Sequence, residues 1–369
     1  MNWLANKFEL SRGGSRDNLR PMEGLRGFAV FMVFLVHFVT LSEAWMPSQS
    51  ISAKIAYDLH KIGNSGVDLF FVLSGYLIYG SLISREQNFF VYMKRRIQRI
   101  YPVFLVVLII YLFLSLVSPS DSKIPSPFFF SGLNYVLNNV LLLPCMFSVE
   151  PIIAVSWSLS YEIFYYLAIP LIIWLTGMRN WSTRERMLFF LLLMVLIMVV
   201  ASGNHTRLIM FISGIFLFET DKHRLMIPPR AWVCLLILIV GLAIMPVRVT
   251  VSGGITMKAA VLFVCFYWLC FSCFCDKTSF LGKSFSWTPL RWLGNMSYSY
   301  YLIHGLTLKI VFKILALVLI PAKYNSQTFF WLMMPIMFLI TLPPATALFL
   351  LIERPFSLVP KRKADGAIA

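Results

Sequence analysis

Long apolar stretches alternate with short polar connections along most of this chain. A helix that crosses a lipid bilayer needs about 20 consecutive, mostly apolar residues. Windows of that length predict ten spans, centred near residues 35, 75, 109, 167, 195, 214, 239, 266, 305 and 340. Because the connections are short, the pattern predicts an all-α fold, a polytopic membrane bundle of about ten transmembrane helices.

One connection, residues 119–156, is much longer than the others. It contains an apolar run, NYVLNNVLLLP at residues 134–144, that is too short to cross a bilayer. We predict a re-entrant or interfacial element on the outer side. The predicted organisation is a polar N-terminal tail at residues 1–19, a membrane domain at residues 20–356 and a basic tail at residues 357–369.

The distribution of basic residues predicts the orientation of the bundle. Lys and Arg accumulate in short cytoplasmic loops of membrane proteins. With both termini placed in the cytoplasm, most of the 32 Lys and Arg residues fall on inner segments. The net charge of +16 is therefore interpreted as topology and contact with anionic lipid head groups, and nucleic-acid binding is not expected.

Composition narrows the class further. A chain with 59% hydrophobic and 13% charged residues is not typical of a soluble globular protein. Four of the six cysteines crowd the predicted eighth span and its cytoplasmic end, where we interpret them as small packing residues. A metal site there would lack nearby histidines, so no metal is expected.

The first predicted span carries two basic residues. Its sequence, LRGFAVFMVFLVHF at residues 25–38, places Arg26 and His37 eleven positions apart. In a helix this spacing leaves them within about 20° of one face and about 16 Å apart along the axis. Arg26 is predicted at the cytoplasmic rim and His37 beyond the midplane. A lone intramembrane histidine can be a buried imidazole that a neighbouring helix satisfies.

Two carboxylates are predicted at a depth comparable to that of His37. Asp68 lies near the outer end of the second span, and Glu162 lies one to two turns inside the fourth. A carboxylate that orients an imidazole makes it a competent general base for a hydroxyl. Asp68 has an alternative role, because a negative charge is also favoured at a helix N-terminus.

Two further segments carry candidate residues. The stretch KRRIQRIYP at residues 94–102 is either an ordinary basic flank of the third span or a phosphate clamp that includes Arg96 and Arg99. The ninth span, LGNMSYSYYLIHG at residues 293–305, brings His304 to mid-membrane beside Tyr298 and other hydroxyl side chains. Such runs often form interhelical hydrogen bonds, and His304 and Tyr298 are candidate accessory residues.

Taken in order, these segments resemble the acyltransferase-3 family of integral membrane acyltransferases, from Asn18 to Pro355. The resemblance rests on RPMEGLRGFAVFMVFLVH, GVDLFFVLSGYLI, the Arg-x-x-Arg pair, WSLSYE, SYSYYLIH and IERP. The chain departs from the family pattern at two places. Glu23 stands where Asp is common, and Gly27 follows Arg26 where Ala is usual.

The resemblance implies O-acylation, usually acetylation, of a hydroxyl on a cell-surface or lipid-linked glycan such as O-antigen lipopolysaccharide or an exopolysaccharide. The implied acyl donor is cytosolic acetyl-CoA, and the implied setting is a bacterial inner membrane. Larger members carry an extracytoplasmic hydrolase-like domain after the bundle. Because this chain ends at Ala369, we expect it to be a stand-alone member.

The resemblance also implies roles for individual residues. His37 would be the catalytic base or acyl relay, with Glu162 as its partner, and the similar depth of Asp68 makes it the alternative partner. The candidates for binding the CoA phosphates are Arg26, Arg96 and Arg99. A covalent acyl intermediate on another residue stays open, since no Ser or Tyr has a clear base at fixed spacing.

A function of a different class would also explain a polar seam through a membrane bundle. A transporter or flippase of lipid-linked sugars could use His37 for proton coupling. No inverted repeat is visible in the sequence, which favours the acyltransferase interpretation. Loss of acyl donor would leave such a transporter active, so the two hypotheses are separable by experiment.

Overall fold

The computed structural model describes residues 2–9, 19–119, 122–125, 128–144, 146–201, 203–249, 253–321 and 326–358. Helices dominate these ranges, and no strand occurs within them. The α-helices are α1 Asn2–Phe8, α2 Leu19–Ser42, α3 Ile51–Gly63, α4 Gly66–Ser84, α5 Phe89–Val117, α6 Leu133–Val140, α7 Trp157–Thr176, α8 Thr183–Val200, α9 Ile209–His223, α10 Ala231–Ile244, α11 Gly254–Cys275, α12 Phe280–Phe285, α13 Thr288–Asn295, α14 Ser297–Val318 and α15 Gln327–Leu348. A π-helical segment, Phe349–Leu358, follows α15 and is called the C-terminal segment below.

The prediction of an all-α membrane bundle is confirmed. Seven segments of the described chain are long and apolar enough to cross a membrane: Arg20–Trp45, Ile51–Ser84, Phe89–Val117, Ala154–Thr176, Gly254–Cys275, Ser297–Val318 and Gln327–Leu358. The predicted spans near residues 195, 214 and 239 correspond to α8, α9 and α10, which are not among the seven. The count of ten and the cytoplasmic placement of the termini stay predictions. Residues 10–18, Cys145 and residues 359–369 lie outside the described residues.

The long connection between α5 and α7 holds no helix of spanning length within its described part. Helix α6 has 8 residues, which is far short of the length that a span needs. The amide of Asn139 folds the chain back on itself, because its Nδ2 donates to the carbonyl oxygen of Glu150 and its Oδ1 accepts from the backbone N–H of Ile152. This confirms that the apolar run of this connection does not form a span.

Glycines let α2 and α13 approach each other closely. A Cβ at Gly27 would lie 2.1 Å from the carbonyl oxygen of Leu290, and a Cβ at Gly294 would lie 1.7 Å from that of Glu23. Small residues at helix crossings allow such backbone contact in membrane proteins. This close packing leaves no room for a Cβ at position 27, which explains the glycine directly after Arg26.

A second glycine contact joins α4 to α9. A Cβ at Gly75 would lie 2.2 Å from the carbonyl oxygen of Phe211, and one at Gly214 would lie 2.1 Å from that of Val72. The ring of Phe211 stacks on that of Tyr165 with centroids 4.3 Å apart, which brings α7 to the same place. These contacts fix the position of α4, which forms one wall of the cavity described next.

Candidate active site

A cavity of about 270 Å³ lies inside the bundle. Residues of α2, α4, α5, α7, α14 and the C-terminal segment line it. Its charged lining residues are Arg26, Arg96, Arg99 and Glu162. Tyr298, one of the accessory candidates, lines it as well, so five of the predicted site residues come together from four helices.

Glu162 is held inside this cavity by hydroxyl donors. Ser74 Oγ of α4 donates to Glu162 Oε1 at 3.0 Å, and the Tyr166 hydroxyl, one turn further along α7, donates to the same oxygen. A carboxylate at membrane depth needs such donors because leaving it unpaired in a low-dielectric medium costs several kcal/mol, on the order of 3 or more. Ser74 and Tyr166 were not among the predicted site residues, although Ser74 lies in the segment GVDLFFVLSGYLI and Tyr166 follows WSLSYE by four positions.

Arg96 lies between two aromatic rings. The carbon at the centre of its guanidinium is 5.2 Å from the ring centroid of Tyr92 and 5.6 Å from that of Tyr166. Guanidinium groups stack favourably on aromatic faces, and stacking leaves their edge donors available to a ligand. The Nε atom of Arg96 is buried and has no hydrogen-bond partner among the residues that the structure describes. Arg96 is therefore positioned to offer donors into the cavity.

Arg99 has a protein partner that the sequence analysis did not assign. Its Nη1 donates to Oε1 of Glu353 at 2.6 Å, and Glu353 is fully buried. The other carboxylate oxygen of Glu353 accepts from the backbone N–H and the Oγ of Ser299. The Arg99 guanidinium also lies over the ring of Tyr298, 5.4 Å from its centroid. The carboxylate of the quoted IERP motif thus holds Arg99 at the cavity.

His37 lies beside His304 and is not one of the residues that line the cavity. The two imidazole rings meet edge to face with centroids 5.0 Å apart. The link to the cavity is Tyr301, which lines it and whose ring centroid is 6.3 Å from that of His304. Across the described residues, neither Glu162 nor Asp68 forms a hydrogen bond with His37. The expected orientation of His37 by a carboxylate is not formed.

Asp68 has a different partner. Its Oδ2 is 3.4 Å from Nη1 of Arg207, and Asp68 is almost fully buried. It stands in the first turn of α4, whose N-cap residue is Ser65. The position agrees with the alternative that a helix N-terminus favours the negative charge, with Arg207 as an added counter-charge. Asp68 is not placed with Glu162 in the cavity.

The two accessory candidates are both integrated into the bundle. The Tyr298 hydroxyl donates to the carbonyl oxygen of Ile100 at 2.8 Å, so Tyr298 joins α14 to α5. His304 is fully buried and stacks on Tyr300. Among the described residues, no group of three or more His, Cys, Asp and Glu side chains is arranged to hold a metal ion.

Comparison with known families bears directly on this site. A family model described as an acyltransferase domain matches residues 21–351, which include Arg26, Arg96, Arg99 and Glu162 of the cavity lining. The chain belongs to this acyltransferase family. The resemblance seen in the sequence motifs is thereby confirmed over most of the chain.

Several relatives of this chain carry descriptive names. YrhL of Bacillus subtilis (strain 168), named as a candidate peptidoglycan O-acetyltransferase, is 28% identical over 327 residues, which are 77% of this chain and 47% of the relative. The peptidoglycan O-acetyltransferase OatA of Listeria monocytogenes is 26% identical over 79% of this chain and 49% of the relative. The O-acetyltransferase OatA of Staphylococcus aureus is 30% identical over 42% of this chain and 24% of the relative.

The chain spans about half the length of the first two curated relatives that it matches. No solved structure matches it. The comparisons therefore place the membrane bundle in its family, and the site geometry has to carry the more specific functional argument.

Proposed function

We propose that this protein is a membrane O-acetyltransferase that transfers an acetyl group from acetyl-CoA to a hydroxyl of a cell-wall glycan. Membership of the acyltransferase family supports the reaction class. The observation that carries the proposal is the cavity in which Arg26, Arg96 and Arg99 face Glu162 inside a membrane bundle. Charged groups at this depth are costly and generally mark a functional site.

The three arginines suit an anionic donor. Guanidinium groups bind phosphate oxygens through paired hydrogen bonds, and Arg99 keeps donors free because its ion pair with Glu353 uses one of the five N–H groups. A volume of about 270 Å³ is at the lower limit for a drug-sized ligand. We infer that the cavity binds the acyl end and the pantetheine arm of acetyl-CoA, and that most of the nucleotide stays outside.

The acceptor is proposed from the relatives. Two of them are named for peptidoglycan O-acetylation, which favours a peptidoglycan-type sugar over the O-antigen or exopolysaccharide expected from the sequence alone. A glycan hydroxyl would approach from the outer side of a bundle in an inner or plasma membrane. The aromatic residues of the outer connection could stack on sugar rings there.

His37 is proposed to activate that hydroxyl. The acyl end of the donor in the cavity would reach Tyr301, whose neighbour His304 contacts His37. His37 accepts the hydroxyl proton while the hydroxyl oxygen attacks the thioester carbonyl carbon. The carbon–sulfur bond then breaks, and the leaving CoA sulfur takes the proton from the imidazolium. Ester, free CoA thiol and neutral His37 result.

The test is acetyl transfer in inverted membrane vesicles supplied with acetyl-labelled acetyl-CoA. Wild type is compared with His37→Ala and with the control His223→Ala, which changes an exposed histidine at the end of α9, both at matched protein level. We expect labelled glycan ester from the wild type and the control, and none from His37→Ala.

The transporter hypothesis gives the opposite result. In that case no glycan acquires label, and lipid-linked sugar crosses the bilayer in a protein-dependent way. Labelled ester formed at the wild-type rate by His37→Ala would leave the reaction in place and remove His37 from it. Each outcome therefore identifies which part of the proposal fails.

A further inference from the structure

Among the described residues, His37 has no carboxylate partner of the kind that a catalytic imidazole commonly has. Glu162 accepts from Ser74 and Tyr166, and Asp68 pairs with Arg207. Within the described part of the chain, His304 is the titratable side chain in ring contact with His37. A histidine base that is to meet a substrate needs a defined tautomer and ring orientation, which a second group usually supplies.

One hydrogen bond of the His304 side chain defines its tautomer. Its Nδ1 lies 2.9 Å from the carbonyl oxygen of Tyr300. A carbonyl oxygen can only accept, so Nδ1 carries the hydrogen. In the neutral imidazole Nε2 therefore has a free lone pair. This Nε2 is buried and has no hydrogen-bond partner among the described residues, although buried polar atoms are almost always paired.

Packing holds the His304 ring in place. Tyr300 stacks on it with centroids 5.3 Å apart and an interplanar angle of 11°. The Tyr300 hydroxyl is in turn 2.7 Å from Oγ1 of Thr341, which anchors the stack to α15. The side chain is fully buried, whereas His37 is only partly buried. His304 is thus the fixed member of the pair and His37 the accessible one.

We propose that His304 is the positioning residue of His37. The two ring centroids are 5.0 Å apart, so facing ring atoms come within hydrogen-bond reach once His37 turns about its side-chain torsion. The lone pair of His304 Nε2 accepts the N–H of His37. The other ring nitrogen of His37 then presents its lone pair to the glycan hydroxyl. This role rests on the proposed function, and it gives His304 the place that the sequence predicted for a carboxylate.

Two amide substitutions separate this role from a purely structural one. In His304→Gln the amide reaches the position of Nε2 and offers an acceptor oxygen to His37. In His304→Asn the shorter amide reaches the position of Nδ1, so it keeps the donor to Tyr300 and leaves His37 without an acceptor. A structural role predicts that Asn is the better replacement, and the positioning role predicts Gln.

The experiment measures kcat and KM for acetyl-CoA in vesicles with the wild type and both variants, with protein level and thermal unfolding as controls. We expect His304→Asn to lower kcat about 10²-fold with an unchanged KM, and His304→Gln to restore most of that loss. An Asn variant as active as the wild type, or a Gln variant no better than Asn, would overturn the proposal.

Failure of this proposal differs visibly from failure of the proposed function. If His37→Ala abolishes transfer and His304→Asn does not, the acetyltransferase function stands and only the positioning role is lost. If wild type makes no labelled ester, the proposed function fails first. An unfolded His304→Asn with a folded, fully active His304→Gln would also contradict the structural alternative, because Asn keeps the bond to Tyr300.

Discussion

Arg99 forms an ion pair with the buried Glu353, with Nη1 of Arg99 2.6 Å from Oε1 of Glu353. The pair joins α5 to the C-terminal segment across 254 positions of sequence. Glu353 also accepts two hydrogen bonds from Ser299 at the start of α14. One carboxylate thus ties three elements together at the wall of the cavity, and it fixes the guanidinium that is proposed to meet the donor.

Breaking this pair from one side should be strongly destabilising. Arg99→Met leaves the buried carboxylate without its counter-charge, which typically costs about 3–5 kcal/mol. The double variant Arg99→Met/Glu353→Gln removes both charges and should recover much of the loss, because the amide still accepts from Ser299. Thermal unfolding of purified protein in nanodiscs measures both. If the double variant were less stable than the single variant, the unpaired charge would not be the main cause of the lost stability, which would contradict this prediction.

The close contact of α2 with α13 at Gly27, the residue after Arg26, gives a second prediction. Gly27→Ala would place a methyl group 2.1 Å from the carbonyl oxygen of Leu290, so α13 must move away from α2. We expect a lower unfolding temperature and reduced donor binding, since Arg26 is the neighbouring residue. The matched control is Gly305→Ala, where no described atom outside the adjoining turns of α14 lies within 4 Å of the new methyl group. Equal behaviour of the two variants would contradict the packing argument.

Asp68 and Arg207 test which carboxylate matters for catalysis. Arg207→Leu leaves Asp68 buried without a counter-charge and should destabilise the fold. Asp68→Asn removes the charge from a position outside the cavity, so we expect kcat within about threefold of wild type, the range of an indirect effect. The measurement is acetyl transfer and thermal unfolding in parallel. Loss of transfer by a stable Asp68→Asn would return Asp68 to the catalytic site.

Glu162 should affect the chemical step more than donor binding. Glu162→Gln keeps an acceptor for Ser74 and Tyr166 and removes a negative charge from a cavity lined by three arginines. An anionic donor should therefore bind at least as well, while kcat falls if the charge acts in transfer. Steady-state kinetics with acetyl-CoA separate the two parameters. A raised KM with unchanged kcat would contradict this assignment.

Much of the site could be predicted from the sequence because a charged side chain in a membrane helix carries a large free-energy cost and is therefore rare. Arg26, Arg96, Arg99 and Glu162 stood out as charged groups in or beside apolar spans, and the structure brings all four to one cavity. The helical character of each predicted span followed from apolar length alone. The shortness of helix α6, in the long connection between α5 and α7, followed from the same measure.

Pairing between helices could not be predicted in the same way. The sequence predicted a similar membrane depth for His37, Asp68 and Glu162. Depth does not determine which helices are in contact. The orientation of α4 about its own axis brings Asp68 to Arg207, and the orientation of α7 about its axis brings Glu162 to Ser74. His304 meets His37 because α14 packs on α2, a contact between residues 267 positions apart in sequence that no local pattern encodes.

The central claim is that the arginine cavity receives the acyl-CoA donor, and equilibrium binding of acetyl-CoA to purified protein in nanodiscs tests it most directly. Loss of one charged hydrogen bond removes about 1.5–3 kcal/mol, so Arg96→Gln should weaken binding about tenfold or more. Arg85→Gln, which changes an exposed arginine outside the cavity, should bind like the wild type. Equal affinity of Arg96→Gln and wild type, or no binding by wild type, would contradict the account.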